Sequence, residues 1–193
     1  MDQHQVTIFV VAVVAIVLAA VLGFFVARKR RSQRLRERFG PEYDRVLQKE
    51  GEVSRAEGVL AMRATRREKF ELRPLTAALR SDFSDRWSAV QAEFVDNPKG
   101  AVSGADQLVN EAMKARGYPV VDFDQRAADI SVDHPVVVEN YRAAHAIALR
   151  HSRGQASTED LRRAMVHYRS LFQELLQESI PVRELPHRRE ARA

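Results

Sequence analysis

The sequence predicts an all-α chain, on three observations. Residues 6–27 contain no charged side chain. The stretches beyond them repeat their apolar residues every three or four positions, the period of a helix with one buried face. No run alternates apolar and polar residues over the length of a strand. Val120-Val121 is too short, and Val136-Val137-Val138 follows a helix start. The expected architecture is an N-terminal transmembrane helix, a charged helical stalk and an antiparallel helical bundle of about four core helices.

As a helix, residues 6–27 extend about 33 Å, enough for a hydrocarbon core of about 30 Å. A lone segment crossing lipid must satisfy its own backbone groups, so it must be helical. The leader Met1-Asp2-Gln3-His4-Gln5 has no Lys or Arg, whereas Arg28, Lys29, Arg30, Arg31, Arg34, Arg36 and Arg38 crowd residues 28–38 against the single acid Glu37. Basic residues flanking a span stay on the cytoplasmic side. The expectation is a short external N-terminus (1–5), a span (6–27), a basic collar (28–38) and the bulk of the chain in the cytoplasm, at a bacterial inner membrane.

The rival is a cleaved secretory signal, which would make this a secreted helical protein. Such a signal carries a positive n-region and an apolar run of about 7 to 15 residues. Here the leader lacks the charge, the run is longer, and a basic block follows it.

Within the span, Ala15, Ala19, Gly23 and Ala27 fall four apart, a small-residue face suited to close helix association with a second copy or another helix. The collar residues Arg28, Lys29, Arg30, Arg31 and Arg34 are candidate contacts for anionic lipid headgroups.

Cysteine is absent, which excludes disulfides, thiolate metal sites and a cysteine nucleophile. The net charge of +5 is unevenly placed: between residues 39 and 182 there are 20 Lys/Arg against 22 Asp/Glu. A nucleic-acid binder is expected to carry a basic face on its domain, so this distribution argues against one. Arg outnumbers Lys 26 to 5, a bias of GC-rich bacterial genomes.

Gly40-Pro41 breaks any helix leaving the collar. Residues 42–69 are charged, with an intermittent apolar stripe through Tyr43, Val46, Leu47, Val53, Ala56, Val59 and Leu60, and read as a helical stalk that Gly51 and Gly58 weaken. Residues 70–75 form an extended connector, because Pro74 keeps Arg73 out of the α region, and they close the stalk segment 39–75. Residues 76–178 form the bundle. Thr76 caps the first core helix, whose stripe Leu79, Phe83, Trp87, Val90, Phe94 places Trp87 near the centre of the core.

Asn97-Pro98 starts the next helix, which buries Val102, Ala105, Leu108, Val109, Ala112 and Met113 and ends with Gly117 as a left-handed cap. Asp122 or Asp124 caps a short helix through Ile130, and Asp133 with Pro135 opens a third core helix ending at Gly154. Ser157 caps a fourth, with Asp160 as a short form of the capping box and Leu161, Ala164, Met165, Tyr168, Phe172, Leu175 and Leu176 as its stripe. Residues 179–193 lack an apolar period and read as a disordered tail.

Arg126-Ala127-Ala128-Asp129, Asp133-His134-Pro135 and Val138-Glu139-Asn140-Tyr141-Arg142-Ala143-Ala144-His145 resemble a stretch of uncharacterised bacterial single-pass membrane proteins with a cytosolic helical domain. Arg116-Gly117-Tyr118-Pro119 and Arg163-Ala164-Met165-Val166-His167-Tyr168-Arg169 extend the likeness over about residues 72–176. The resemblance implies the architecture and brings no catalytic or binding residue.

No motif signals catalysis or a cofactor. His145 and His151 lie on different helix faces, there is no HExxH or EF-hand spacing, no phosphate loop and no GxSxG elbow. Paired acids such as Asp82 and Asp85 read as caps and solvated faces. One polar cluster is a candidate interaction surface: Asp129, Asp133, His134, Glu139, Tyr141, Arg142 and His145, gathered around the start of the third core helix. These residues line either a groove for a peptide or small ligand, or an internal set of pairs at the core edge. The function expected is a non-catalytic, membrane-anchored interaction or scaffold module for an unknown protein partner. The alternative is a membrane-tethered ligand-sensing domain.

Overall fold

A computed structural model describes the backbone of residues 3–119 and 121–177; in the first helix it describes the side chains of Val13 and of Ala15 onward. The expected tail 179–193, Val120 and the first two residues of the leader lie outside the described residues. Among those described there are eight α-helices and no strand: α1 Gln3–Phe39, α2 Pro41–Glu50, α3 Val53–Arg67, α4 Ala77–Glu93, α5 Pro98–Ala115, α6 Phe123–Ile130, α7 Val138–Ser152 and α8 Thr158–Gln177. The chain divides into two compact units, Met1–Ala64 and Thr65–Ala193.

In the first unit, α1 is one unbroken helix of 37 residues that takes the uncharged stretch straight into the basic collar. Among the described residues, no helix is long and apolar enough to cross a membrane. The apolar side chains described without interruption are residues 15–27, about 20 Å of helix, and Arg28 follows at once. Most side chains between residues 6 and 14 lie outside the description.

The segment read as a stalk contains two helices. Gly51 ends α2 in the left-handed conformation (φ +72°), its N–H donating to the Leu47 carbonyl at 2.9 Å. A residue with a Cβ pays about 1 kcal/mol or more there, which is why glycine terminates the helix instead of merely weakening it. α2 runs beside the collar: the Tyr43 hydroxyl lies 3.4 Å from Ser32 Oγ, and the Arg36 guanidinium sits 4.7 Å from the Tyr43 ring centroid. The same hydroxyl donates to Glu57 Oε1 at 3.1 Å, and Arg63 donates to Glu42 Oε1 at 2.6 Å. Both acids are buried, so these bonds answer their desolvation.

The second unit is the bundle. α4 and α5 form one hairpin, α7 and α8 the other, and α5 packs against α4, α7 and α8. α5 buries the six residues expected of it together with Ala101, and α8 buries Leu171 along its predicted stripe while Leu176 stays half-buried. Thr76, Asn97 and Asp122 each accept a hydrogen bond from the backbone N–H three positions on. Ser157 and Asp160 form the reciprocal box: the Asp160 N–H donates to Ser157 Oγ at 3.1 Å, and the Ser157 N–H donates to Asp160 Oδ2 at 3.0 Å. The Ser157 N–H and the Ser157 hydroxyl, both donating to the Asp160 carboxylate, hold it below its ordinary range.

Two elements differ from expectation. α7 starts at Val138 with no side-chain cap. Asp133, expected to cap it, instead accepts from Arg67 Nε at 2.6 Å and from the Tyr118 hydroxyl at 2.8 Å. In α4 only Phe83 and Trp87 are buried, while Leu79 is 42 % exposed. α4 lies against α5 and reaches α8 chiefly through rings: Trp87 stacks on Phe172 with centroids 4.6 Å apart, and Phe83 meets the same ring edge-on at 6.4 Å. Trp87 is thus a buried member of the core that also borders the cleft between α4 and α8.

Candidate functional site

Three regions merit a functional reading, and the first is α1. The positions Ala19, Gly23, Ala27, Arg30 and Arg34 step by 4, 4, 3 and 4, so the small-residue face continues directly into the collar. A groove of about 820 Å³ runs along this face, lined by Ala19, Leu22, Gly23, Val26, Ala27, Arg30, Arg31, Arg34 and Leu35. Nothing lies within 4 Å of where a Gly23 Cβ would stand. Arg28 looks onto a neighbouring groove with Phe24, Ala27, Arg31, Ser54 and Glu57. Ala15 and Lys29 are exposed and line neither.

The second region is the polar cluster around α6 and α7, whose members turn largely inward. Asp129 is 1 % exposed and accepts from Arg66 Nε at 2.9 Å and Gln125 Nε2 at 2.7 Å. Asp133 is committed to Arg67 and Tyr118. His134 is buried, with Nδ1 3.5 Å from Glu174 Oε1. Arg142 pairs with Glu139 one turn away at 3.2 Å. Tyr141 is fully buried; its hydroxyl accepts from Arg126 Nε at 3.2 Å and donates to Asn110 Oδ1 at 3.3 Å. Burial pushes this phenol up to about 12, partly opposed by the Arg126 charge. Tyr168 beside it is raised further by burial and by the Asp106 carboxylate.

His145 lies flat on Phe123, with ring centroids 3.5 Å apart and planes at 9°. Burial lowers its pKa, against the opposing pull of Asp106. The nearest groove, about 170 Å³ between Asn110, Glu111, Met113, Lys114, Tyr118, Pro119 and Arg126, has none of the six candidate residues (Asp133, His134, Glu139, Tyr141, Arg142, His145) in its lining. The cluster is thus a set of internal pairs that joins α5, α6, α7 and the end of α3. Among the described residues no group of three or more His, Cys, Asp and Glu is arranged to hold a metal ion.

The third region, absent from the sequence reading, is the cleft between α4 and α8. Trp87 lies between two grooves. One, of about 190 Å³, is bounded by Gln91, Phe94, Arg162, Met165, Val166 and Arg169. The other, of about 500 Å³, is bounded by Arg80, Ser81, Ser84, Asp85, Phe172, Gln173, Leu176 and Gln177. The Trp87 indole N–H has no acceptor among the described residues. The sequence carried one hint: the faces of α4 away from its stripe are rich in Ala and Ser, too small to seal a neighbouring helix along their whole length. Comparison with known proteins finds no matching family model, no similar curated protein and no similar solved structure.

Proposed function

We propose that this chain is a membrane-anchored, non-catalytic interaction module, with residues 6–27 as the span, the N-terminus outside and the bundle on the cytoplasmic side. One observation carries the reading: a single continuous helix joins 22 uncharged positions to a collar in which seven of eleven residues are basic. A hydrophobic stretch of that length ending in dense positive charge has a physical reason to stop at the inner face of a bilayer. The bundle beyond it offers a protein partner the α4–α8 cleft, whose aromatic floor and polar rim match the anatomy of recognition surfaces. The polar cluster at α6 and α7 serves the bundle's own cohesion.

The test is topological. A cysteine placed at Ser32 in this cysteine-free chain stays unlabelled by an impermeant thiol reagent in intact cells and is labelled once they are permeabilised. Labelling of intact cells would overturn the orientation, and recovery of a shortened chain from the medium would overturn the anchor.

A further inference from the structure

We infer that the α1 groove is a binding site for one anionic phospholipid, with the phosphate held by Arg30 and Arg34, Arg31 beside them, and an acyl chain lying along Leu22, Gly23 and Val26. The inference rests on the membrane reading above and narrows the diffuse basic collar to one face of one helix. Its apolar half is shaped by small side chains: Gly23 and Ala27 leave a shallow channel beside the ridge formed by the bulkier Leu22 and Val26. An alkyl chain fills such a channel with dispersion contacts. Its polar half is three exposed guanidiniums, none with an acidic partner among the described residues. Guanidinium matches a phosphate in charge and in the geometry of its paired donors. Arg30 and Arg34 stand one and two helical turns beyond Ala27, where a phosphate belongs if the chain of the same lipid runs back toward Ala19.

The charge also decides against a second copy as the occupant. Small-residue faces associate by bringing two helix backbones close together. On this face that approach would set the Arg30, Arg31 and Arg34 of each copy against those of the other, with only Glu37, one turn beyond Arg34, as an acid to set against the three. A single negative headgroup meets the same arginines with attraction.

The full chain, reconstituted into phosphatidylcholine vesicles containing a minor fraction of spin-labelled phosphatidylglycerol, supplies the test. Flotation with pure phosphatidylcholine vesicles after an alkaline wash comes first. A chain that fails to float removes the membrane reading and this site with it, whereas a chain that floats isolates the question of the site. The double variant R30Q/R34Q is then compared with R28Q/K29Q, which removes the same charge from outside the pair. The first is expected to lower the immobilised phosphatidylglycerol clearly more than the second, because it removes the paired guanidinium donors as well as the charge. Equal loss in both variants would mean an unstructured collar and overturn the site. A disulfide-linked dimer formed efficiently in the same vesicles by Gly23→Cys would give the face to a second copy and overturn it as well.

Discussion

At the scale of single residues, His145 shows how burial becomes a dependence on pH. Its ring is stacked on Phe123. Burial lowers its pKa, Asp106 opposes this, Arg126 adds to it, and Asp124 opposes it more weakly. A depressed histidine pKa means that the folded chain binds fewer protons than the unfolded one between the two values. This contribution is therefore complete above the ordinary histidine value of about 6.5 and is lost as pH falls below it toward the folded value. Urea unfolding followed at a series of pH values should show a falling midpoint in that window for the native chain and a flatter profile for His145→Gln. Glu159 and Asp160 are depressed too, by Arg162 and Ser157 respectively, but as carboxylates they act only at lower pH, through about 4 and below. An unchanged slope in His145→Gln would show that the imidazole stays exposed to protons in the folded chain.

At the scale of elements, α8 is fixed at both ends by different means, and only one was legible. Its start was readable because Ser157 and Asp160 are three residues apart and their bonds are local. The same holds for the caps Thr76, Asn97 and Asp122, and for Gly117, which takes φ +96° as the left-handed end of α5. Its far end is held by Arg116, fully buried, whose Nη1 donates to the Leu175 carbonyl at 2.8 Å across 59 positions. In the sequence Arg116 looks like any basic residue in a last helical turn, and no local pattern marks a side chain bound for another helix. Asp133 was misread for the same reason, since its partner Arg67 lies 66 positions away. So the polar cluster, and internal pairing as one of its two readings, could be named from sequence, but its distant partners Arg66 and Arg67 could not.

The Arg116 bond satisfies one of the four carbonyls that any helix leaves open at its C-terminus, and a charge-assisted bond of this kind contributes about 1.5 to 3 kcal/mol. Arg116→Ala also removes the packed stem, so a loss of about 2 to 4 kcal/mol is expected. Arg116→Met keeps most of that volume and should lose less. The single tryptophan, Trp87, belongs to the same core and reports the unfolding by fluorescence. An alanine variant as stable as the native chain would show that α8 does not depend on this anchor.

At the scale of the whole molecule, the proposed membrane anchoring has two physical forces to draw on, and they respond oppositely to salt. The collar attracts anionic headgroups through charge, which is screened over about 3 Å in 1 M salt. A span is retained by transfer of apolar surface out of water, which salt does not weaken. The distribution of residues favours the second: the uncharged stretch 6–27 is long enough on its own, and the near balance of acids and bases from residue 39 to 182 leaves the bundle little attraction to a negative surface. The full chain should therefore stay in the membrane pellet through washes at about 1 M salt. Val17→Asp places a carboxylate in the middle of the stretch, at a cost of about 2.5 to 3.5 kcal/mol to insertion. It should shift a substantial share of the chain into the salt-extracted fraction while leaving Trp87 fluorescence, which reports the bundle, unaltered. Release of the native chain by salt alone would assign retention to the arginines and leave residues 6–27 without a bilayer to cross.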